Sequence, residues 1–266
     1  MRRTVVTASV GLSAAALVLA GCGSSGGSGT ASSSSGSSTT SGVTGTVTVF
    51  AAASLKSSFT VIGKAFEAAN PGVKVTFNFG PSSGLATSIA QGNPADVFAS
   101  ASPTNMDSVV KASDASDPTT FAKNAMQIAV PPSNPGAITG IADLAKPGVK
   151  VARCADAVPC GKLAMTIFTK AKITVNPVDR AVDVNGVVKD VTTGEVDAGL
   201  VYVTDVLAQG AKVKGIVIPA DVNASTSYPI AVLSKAPNAA GAKAFKAFVL
   251  SDTGVAALTD AGFEKP

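Results

Sequence analysis

The sequence predicts an α/β fold of two lobes, in which each lobe has a parallel-rich sheet flanked by helices and the chain crosses twice between them. From Gly45 onward, short β-rich runs alternate with helix-like periodicities, a pattern typical of βαβ units. The pattern occurs in two separate sets, and the C-terminal elements return to the first set. We expect the two crossings near residues 126–130 and 228–233.

The first set begins with the strand TVTVF (46–50). Apolar residues at helical spacing follow from Leu55 to Phe66, and an Asn-Pro-Gly turn that starts at Asn70 ends this helix. The remaining predicted elements of this set are strands over 73–79, 96–100 and 126–130, a helix that carries Leu85 and Ile89, and a helix over 103–112.

The second set repeats the alternation with different loops. Its predicted strands cover 149–153, 198–203 and 214–218, and its predicted helices follow the loop 154–160 and cover 184–191. The returning elements are a strand over 228–233 and helices over 239–250 and 253–260. These sets predict that residues 45–127 and 229–266 form lobe I and that residues 128–228 form lobe II.

The N-terminus has the composition of an export signal. Two arginines precede an apolar stretch over residues 5–20, and small residues then precede Cys22. Because Leu-Ala-Gly-Cys at 19–22 resembles a bacterial lipobox, we expect a signal peptide over 1–21 and a lipid on Cys22 that holds the protein at the cell membrane. An ordinary secretory leader is the alternative, whereas the apolar stretch is short for a transmembrane helix.

Residues 22–44 predict a flexible tether. Of these 23 residues, 20 are Ser, Gly or Thr, and such a segment cannot bury enough apolar surface to offset its chain entropy. A Gly/Ser coil of this length spans roughly 25–30 Å. We therefore expect a folded body that is held near a membrane surface and extends into the extracytoplasmic space.

Composition excludes several function classes. The 266 residues contain no histidine, which rules out Ser-His-Asp hydrolases and histidine-bound metal centres. The net charge is +4, and it falls to +2 without Arg2 and Arg3 of the predicted signal segment (19 − 17), which is too small for a nucleic-acid-binding surface. The carboxylates are scattered, so no site for a hard metal ion is predicted.

Several predicted strand-to-helix junctions carry hydroxyl side chains. Ser54 is expected to cap the first helix, and Ser82 and Ser83 the second. Helix N-termini have free N–H groups and partial positive charge, so they bind anions without lysine or arginine. The alternative interpretation is that these serines are only caps.

Two short segments bear on whether the protein is a catalyst. The loop Gly80-Pro81-Ser82-Ser83-Gly84 lacks the lysine of a phosphate-binding loop, so nucleotide hydrolysis is not predicted. Ser108 and Lys111 form an SxxK pattern, which is the spacing of serine-lysine hydrolases. A later KTG is missing, so this extracytoplasmic hydrolase is the weaker hypothesis.

Segments spread over the whole predicted body carry a family resemblance. These segments are VTVFAAASL (47–55), FGPSSGLATSIAQGNPADVFASAS (79–102), VPCGKLA (158–164), DV (183–184), GLVYVTDV (199–206), YPIAVL (228–233) and the terminal GF (262–263). The sequence resembles the molybdate-binding proteins of bacterial molybdate ABC transporters, which are two-lobed periplasmic binding proteins of class II. The resemblance implies a monomeric binding protein that is not an enzyme and has no cofactor. It also implies molybdate or tungstate as the ligand, with a membrane permease and its ATPase as partners. Sulfate or phosphate on the same fold is the alternative ligand.

The resemblance implies five ligand-binding residues in the cleft between the lobes. Ser54, Ser82 and Tyr202 correspond to residues that donate through hydroxyls, and Cys160 and Val184 to residues that donate through backbone amides. Molybdenum would be present only within the oxyanion, with no direct protein ligands.

This sequence departs from the family pattern at one of these five positions, Cys160, and at two neighbours of Ser82. Pro81 and Gly84 stand where the family often has serine or threonine, so Ser83 is considered as a substitute donor. Cys160 stands where the family usually has a small residue, which matters little if only the amide is used.

Cys154 and Cys160 are six residues apart in an exported protein, where oxidising conditions permit a disulfide. We expect a disulfide that stiffens one wall of the cleft. Free thiols and metal ligation are the alternatives, although two thiolates without histidine make an incomplete zinc site.

Overall fold

The computed structural model describes residues 42–266. The predicted signal segment, Cys22 with its predicted lipid, and the tether up to residue 41 lie outside the described residues. Within the described range, no helix has both the length and the apolar character needed to cross a membrane.

Residues 42–266 form nine β-strands and eight α-helices. The strands are β1 (Gly45–Ala52), β2 (Val73–Gly80), β3 (Val97–Ala99), β4 (Ala115–Val130), β5 (Val151–Cys154), β6 (Asp179–Ala181), β7 (Ala198–Tyr202), β8 (Lys214–Val217) and β9 (Ser225–Leu233). The helices are α1 (Lys56–Ala69), α2 (Ser82–Ala90), α3 (Pro103–Lys111), α4 (Pro159–Ala171), α5 (Val184–Thr193), α6 (Val203–Gln209), α7 (Ala239–Val249) and α8 (Asp252–Asp260). A short 3-10 helix, Ala53–Leu55, joins β1 to α1.

The strands follow the order β2-β1-β3-β9-β4-β7-β5-β6, and β8 pairs with β4. We call β2, β1, β3 and β9, with the part of β4 before Met126, the first half-sheet. The rest of β4, with β7, β5, β6 and β8, is the second half-sheet. Neighbours are parallel among β2, β1 and β3 and among β7, β5 and β6, whereas β4 and β9 run antiparallel to their partners.

Helices cover both faces of the first half-sheet. Residues of β1 alternate between the two cores, because Val49 belongs to one apolar cluster and Phe50 to another. The Val49 cluster contains apolar residues of α1, α7 and α8, and the Phe50 cluster contains those of α2 and α3. A third cluster joins the second half-sheet to α4, α5 and α6.

The predicted α/β fold is confirmed, but the described strands form one nine-stranded sheet with two parallel-rich halves linked through β4, and not two separate sheets. Single elements also differ from the sequence prediction. β4 begins at Ala115, although only 126–130 was predicted as strand, because Pro118 and polar neighbours conceal the pattern and the pairing with β9 is irregular there. β9 begins at Ser225, three residues before the start of the predicted strand over 228–233. The lobe boundaries themselves stay a prediction.

Candidate functional site

The structure brings the five predicted site residues together around one small cavity. Ser54, Ser82, Cys160, Val184 and Tyr202 all line it. Each is buried, with at most 7% of its surface exposed. Residues more than a hundred positions apart in sequence therefore share one site.

All five residues follow the carboxyl end of a strand. Ser54 comes two residues after β1, Ser82 two after β2, and Val184 three after β6. Cys160 is the second residue of α4, which follows β5, and Tyr202 is the last residue of β7. Because parallel strands end at the same edge of a sheet, each half-sheet presents its helix starts on one side, where α/β folds bind ligands.

The two serines do not cap helices, contrary to the sequence prediction. Near Ser54, Ala52 is the N-cap of the 3-10 helix and Leu55 is the N-cap of α1. Pro81 is the N-cap of α2, so Ser82 is the first residue of that helix. The Oγ of Ser82 instead accepts a hydrogen bond from the Ala101 amide at 2.9 Å. Because a hydroxyl has one proton and two lone pairs, this leaves the Ser82 proton for a ligand.

Ser54 also has a partner other than a helix amide. Its Oγ lies 2.9 Å from the Oη of Tyr228, and both residues are buried. The neighbouring carbonyl of Ala53 accepts a hydrogen bond from the Asn185 side chain of α5 at 3.4 Å. The short 3-10 helix therefore contacts α5, which packs on the second half-sheet, beside the cavity.

Cys160 and Val184 lie in the first turns of α4 and α5. First-turn amides have no acceptor within their own helix and point outward from its N-terminus. The N-cap Asp183 accepts from the amides of Asn185 and Gly186, which leaves the Val184 amide outside this cap. Both helices thus offer amides to the cavity that they line.

Cys160 is joined to Cys154 by a disulfide bond, with an S–S distance of 2.04 Å. The bond connects the end of β5 to the start of α4. Gly161, the next residue of α4, packs directly against the carbonyl of Ala155 in the loop that the disulfide closes. The position of the Cys160 amide is therefore set by a tightly packed loop.

Tyr202 is 2% exposed, and its Oη is buried without a hydrogen-bond partner among the described residues. Burial raises its pKa well above the usual value, with further contributions from Tyr228 and Asp205, so the hydroxyl keeps its proton. An unpaired buried hydroxyl costs free energy, and a ligand acceptor in the cavity would remove that cost.

The cavity has no positive side chain. Among the described residues that line it, none is lysine or arginine, and the single charged one is Asp183. The Asp183 carboxylate is occupied as the N-cap of α5, where the helix dipole offsets its charge. The site therefore offers hydroxyls and amides, which are neutral donors.

The other sequence candidates do not line this cavity. Ser83 faces a different surface depression together with Ser108, and Lys111 lies at the exposed end of α3. The Oγ of Ser108 donates to the Asn105 carbonyl within α3 at 2.7 Å. Among residues 42–266, no group of three or more His, Cys, Asp or Glu side chains is placed to hold a metal ion.

Sequence reasoning did not single out Asp205 or Tyr228. The Asp205 carboxylate accepts from the Tyr202 amide at 2.9 Å and so fixes the start of α6. An acidic residue three positions after a strand end is the signal of such a capping arrangement. Tyr228 gives no comparable local signal, since its contact with Ser54 spans 174 residues.

Asp205 predicts a measurable pH dependence of stability. Burial raises its pKa to about 7, the Tyr202 amide opposes this, and Asp183 adds to it. From about pH 4 to 7 the folded protein holds a proton that the unfolded chain has lost, so this carboxyl lowers the free energy of unfolding as pH rises. In Asp205→Asn the amide oxygen can still accept, and the charge is gone. We expect the free energy of unfolding of this variant, measured in urea, to rise relative to that of wild type by about 2–3 kcal/mol as the pH goes from 5 to 8.

The exposed Asp221→Asn is the control for this measurement and should show no such gain. Equal pH slopes for wild type and Asp205→Asn would contradict the assignment.

The fold and the buried cavity at the helix starts are those of a solute-binding protein. The family model described as bacterial extracellular solute-binding protein matches residues 47–264. The chain belongs to this family, whose members bind solutes for transport and are not enzymes. The hydrolase hypothesis for Ser108 and Lys111 is therefore wrong, and no cofactor is expected.

Curated relatives specify the branch of the family. The molybdate-binding protein ModA of Mycobacterium tuberculosis (strain H37Rv) is 46% identical over 222 residues, which cover 83% of this chain and 85% of the relative. ModA of Escherichia coli (strain K12) is 34% identical over 213 residues, which cover 76% and 82%. This chain is thus a homologue of the ModA proteins.

Solved structures agree with the fold. The periplasmic molybdate-binding protein of Azotobacter vinelandii superposes with a TM-score of 0.75 at 18% identity, over 83% of this chain and 99% of that one. The sulfate-binding protein SubI of Mycobacterium tuberculosis superposes with a TM-score of 0.74 at 20% identity, over 83% and 86%. At these identities the likeness establishes the periplasmic-binding-protein fold, as predicted.

Proposed function

We propose that the protein binds molybdate, and tungstate equally well, in the cavity and delivers it to an ABC importer. The observation that carries this proposal is the convergence of five helix starts on one cavity without a positive side chain. The identity of 46% to a ModA protein supports molybdate as the ligand. The proposed donors are the hydroxyls of Ser54, Ser82 and Tyr202 and the amides of Cys160 and Val184.

Neutral donors are sufficient for tight binding of a dianion. Charge-assisted hydrogen bonds are each worth about 1.5–3 kcal/mol, so five proposed donors supply enough free energy without a counter-charge. Within each lobe the local position of a donor is held before the ligand arrives, because Ser82 is fixed by the Ala101 amide and Cys160 by its disulfide. Preorganisation of this kind reduces the entropic cost of binding.

The same rigidity provides selectivity. A fixed set of donors matches one spacing of oxyanion oxygens, and a smaller anion leaves some donors without a partner. The proposed donors also disfavour a protonated anion, since the extra proton takes the place of an oxygen lone pair that one of them would bind. We therefore expect molybdate and tungstate to bind alike and sulfate and phosphate to bind weakly.

We further propose that binding closes two lobes, formed by 45–127 with 229–266 and by 128–228, and that a permease recognises the closed form. Ser54 and Ser82 belong to the first half of the molecule, and Cys160, Val184 and Tyr202 to the second, so a bound anion would hold the halves together. Closure predicts a smaller radius of gyration in solution scattering after molybdate is added. An unchanged radius would contradict it.

A lipid on Cys22 would hold this monomeric receptor near the permease and its ATPase. The composition of residues 22–44, which are mostly Ser, Gly and Thr, supports this proposal, because a tether of that composition would let the folded body move away from the membrane surface. Replacing Cys22 by alanine should release the protein from cell membranes. Membrane retention of that variant would contradict lipid anchoring.

Calorimetry tests the function itself. The protein is titrated with molybdate, tungstate, sulfate and phosphate under the same conditions. We expect tight binding of the first two, with one anion per chain, and at least a roughly 100-fold weaker binding of sulfate and phosphate. Preference for sulfate or phosphate, or no binding of molybdate, would contradict the proposal.

A further inference from the structure

The hydrogen bond between the hydroxyls of Ser54 and Tyr228 determines whether the Ser54 proton is available to a ligand. Their oxygens are 2.9 Å apart, and either hydroxyl is able to donate to the other. If Ser54 donates to Tyr228, its single proton is used and it has none for a ligand. If Tyr228 donates, the Ser54 proton is free to point into the cavity.

A bound oxyanion selects the second direction. An oxyanion only accepts hydrogen bonds, so Ser54 contributes to binding solely when its own proton is free. Burial raises the pKa of Tyr228, which keeps this hydroxyl protonated and able to donate. Tyr228 itself is fully buried and does not line the cavity, so it acts on the ligand only through another residue.

The ring of Tyr228 is held independently of its hydroxyl. It packs edge-on against Phe121, Tyr202 and Phe263, with centroid distances of 6.3, 6.2 and 5.2 Å. One of these rings is Tyr202, the hydroxyl donor from the second half of the molecule. Tyr228 thus contacts one proposed ligand residue through its Oη and another through its ring.

We propose that Tyr228 is a positioning residue of the anion site, whose hydroxyl donates to the Ser54 Oγ and so directs the Ser54 proton to the bound oxyanion. This inference rests on the proposed function and deepens it. The chain of donors runs from Tyr228 to Ser54 to the anion, and hydrogen bonds in such a chain polarise one another. Tyr228 would therefore strengthen binding without touching the ligand.

A double-mutant cycle tests this proposal. Wild type, Tyr228→Phe, Ser54→Ala and the double variant are titrated with molybdate by calorimetry. When Ser54 is present, Tyr228→Phe should raise the Kd for molybdate roughly 3- to 10-fold, the equivalent of one net hydrogen bond. In the Ser54→Ala background the same change should alter Kd by less than about twofold, because the residue that it positions is gone.

A general structural role of the Tyr228 hydroxyl would lower affinity equally in both backgrounds, and that result would overturn the proposal. No loss in either background would overturn it as well. Ser58→Ala is the matched control, since Ser58 is buried, donates to the Leu55 carbonyl and does not line the cavity. Its affinity should equal that of wild type.

Two results separate this inference from the proposed function. If wild type fails to bind molybdate, the proposed function is wrong. If wild type binds and Ser54→Ala weakens binding while Tyr228→Phe does not, only the role of Tyr228 is wrong. Should Tyr228→Phe be unstable, the molybdate-induced rise in Tm is compared among the same four proteins instead.

Discussion

Gly161→Ala is expected to reduce molybdate affinity by on the order of 100-fold, the equivalent of one or two charge-assisted hydrogen bonds. A Cβ at this position would overlap the carbonyl group of Ala155, which is backbone and cannot rotate away. The start of α4 would have to move, and the proposed Cys160 donor would move with it. Calorimetry with molybdate measures the loss, and urea unfolding should show a destabilisation of about 1–3 kcal/mol.

Two glycine variants control for this substitution. Gly84 is the third residue of α2, as Gly161 is of α4, but a Cβ there meets only the Pro81 ring at 3.4 Å. Gly84→Ala should keep its affinity. Gly254→Ala in α8 would overlap the carbonyls of Phe248 and Val249 away from the cavity, so it should lose stability and keep the affinity of its folded form. Unchanged affinity in Gly161→Ala would contradict the role of α4.

Val184→Pro is expected to weaken molybdate binding roughly 10- to 100-fold by deleting one backbone donor. Val184 is the first residue of α5, where proline is well tolerated because its φ suits the helix and no helical bond is lost. Asp183 before it is extended, with φ −153° and ψ 179°, as the residue before a proline requires. The helix should therefore persist without this N–H.

Val184→Ala is the comparison for this variant, because it removes buried side-chain volume and keeps the amide. The side chain of Val184 is 2% exposed, so both variants should lose some stability. Only the proline variant should lose affinity in calorimetry with molybdate. Equal affinities of the two variants would show that the Val184 amide does not bind the anion.

The sequence predicts the helices and strands in the correct order wherever apolar residues recur at a regular spacing. The sequence predicts α1 because Phe59 and Phe66 recur at helical spacing, and it predicts β7 because residues 198–203 are continuously apolar. β4 was mostly missed because its first part is polar and obtains its strand conformation from pairing with β9, which lies about a hundred residues away. Long-range pairing of this kind leaves no local pattern.

The site residues were predicted from a family resemblance and from helix-start chemistry, and the structure corrects the reason for two of them. Both serines are expected as caps, whereas the Ser54 Oγ pairs with the Tyr228 Oη and the Ser82 Oγ accepts from the Ala101 amide. Both partners belong to other elements of the fold. A capping pattern is visible in a few residues of sequence, but a contact that tertiary packing creates is not.

The most direct measurement of the central claim is a crystal structure of the protein with molybdate, in which anomalous scattering locates molybdenum. The account predicts molybdenum in the cavity between Ser82 and Tyr202, with hydroxyl and amide donors about 2.7–3.2 Å from the anion oxygens. It also predicts that no lysine or arginine contacts the anion. Molybdenum at another place, or an anion paired with a lysine or arginine, would contradict the account.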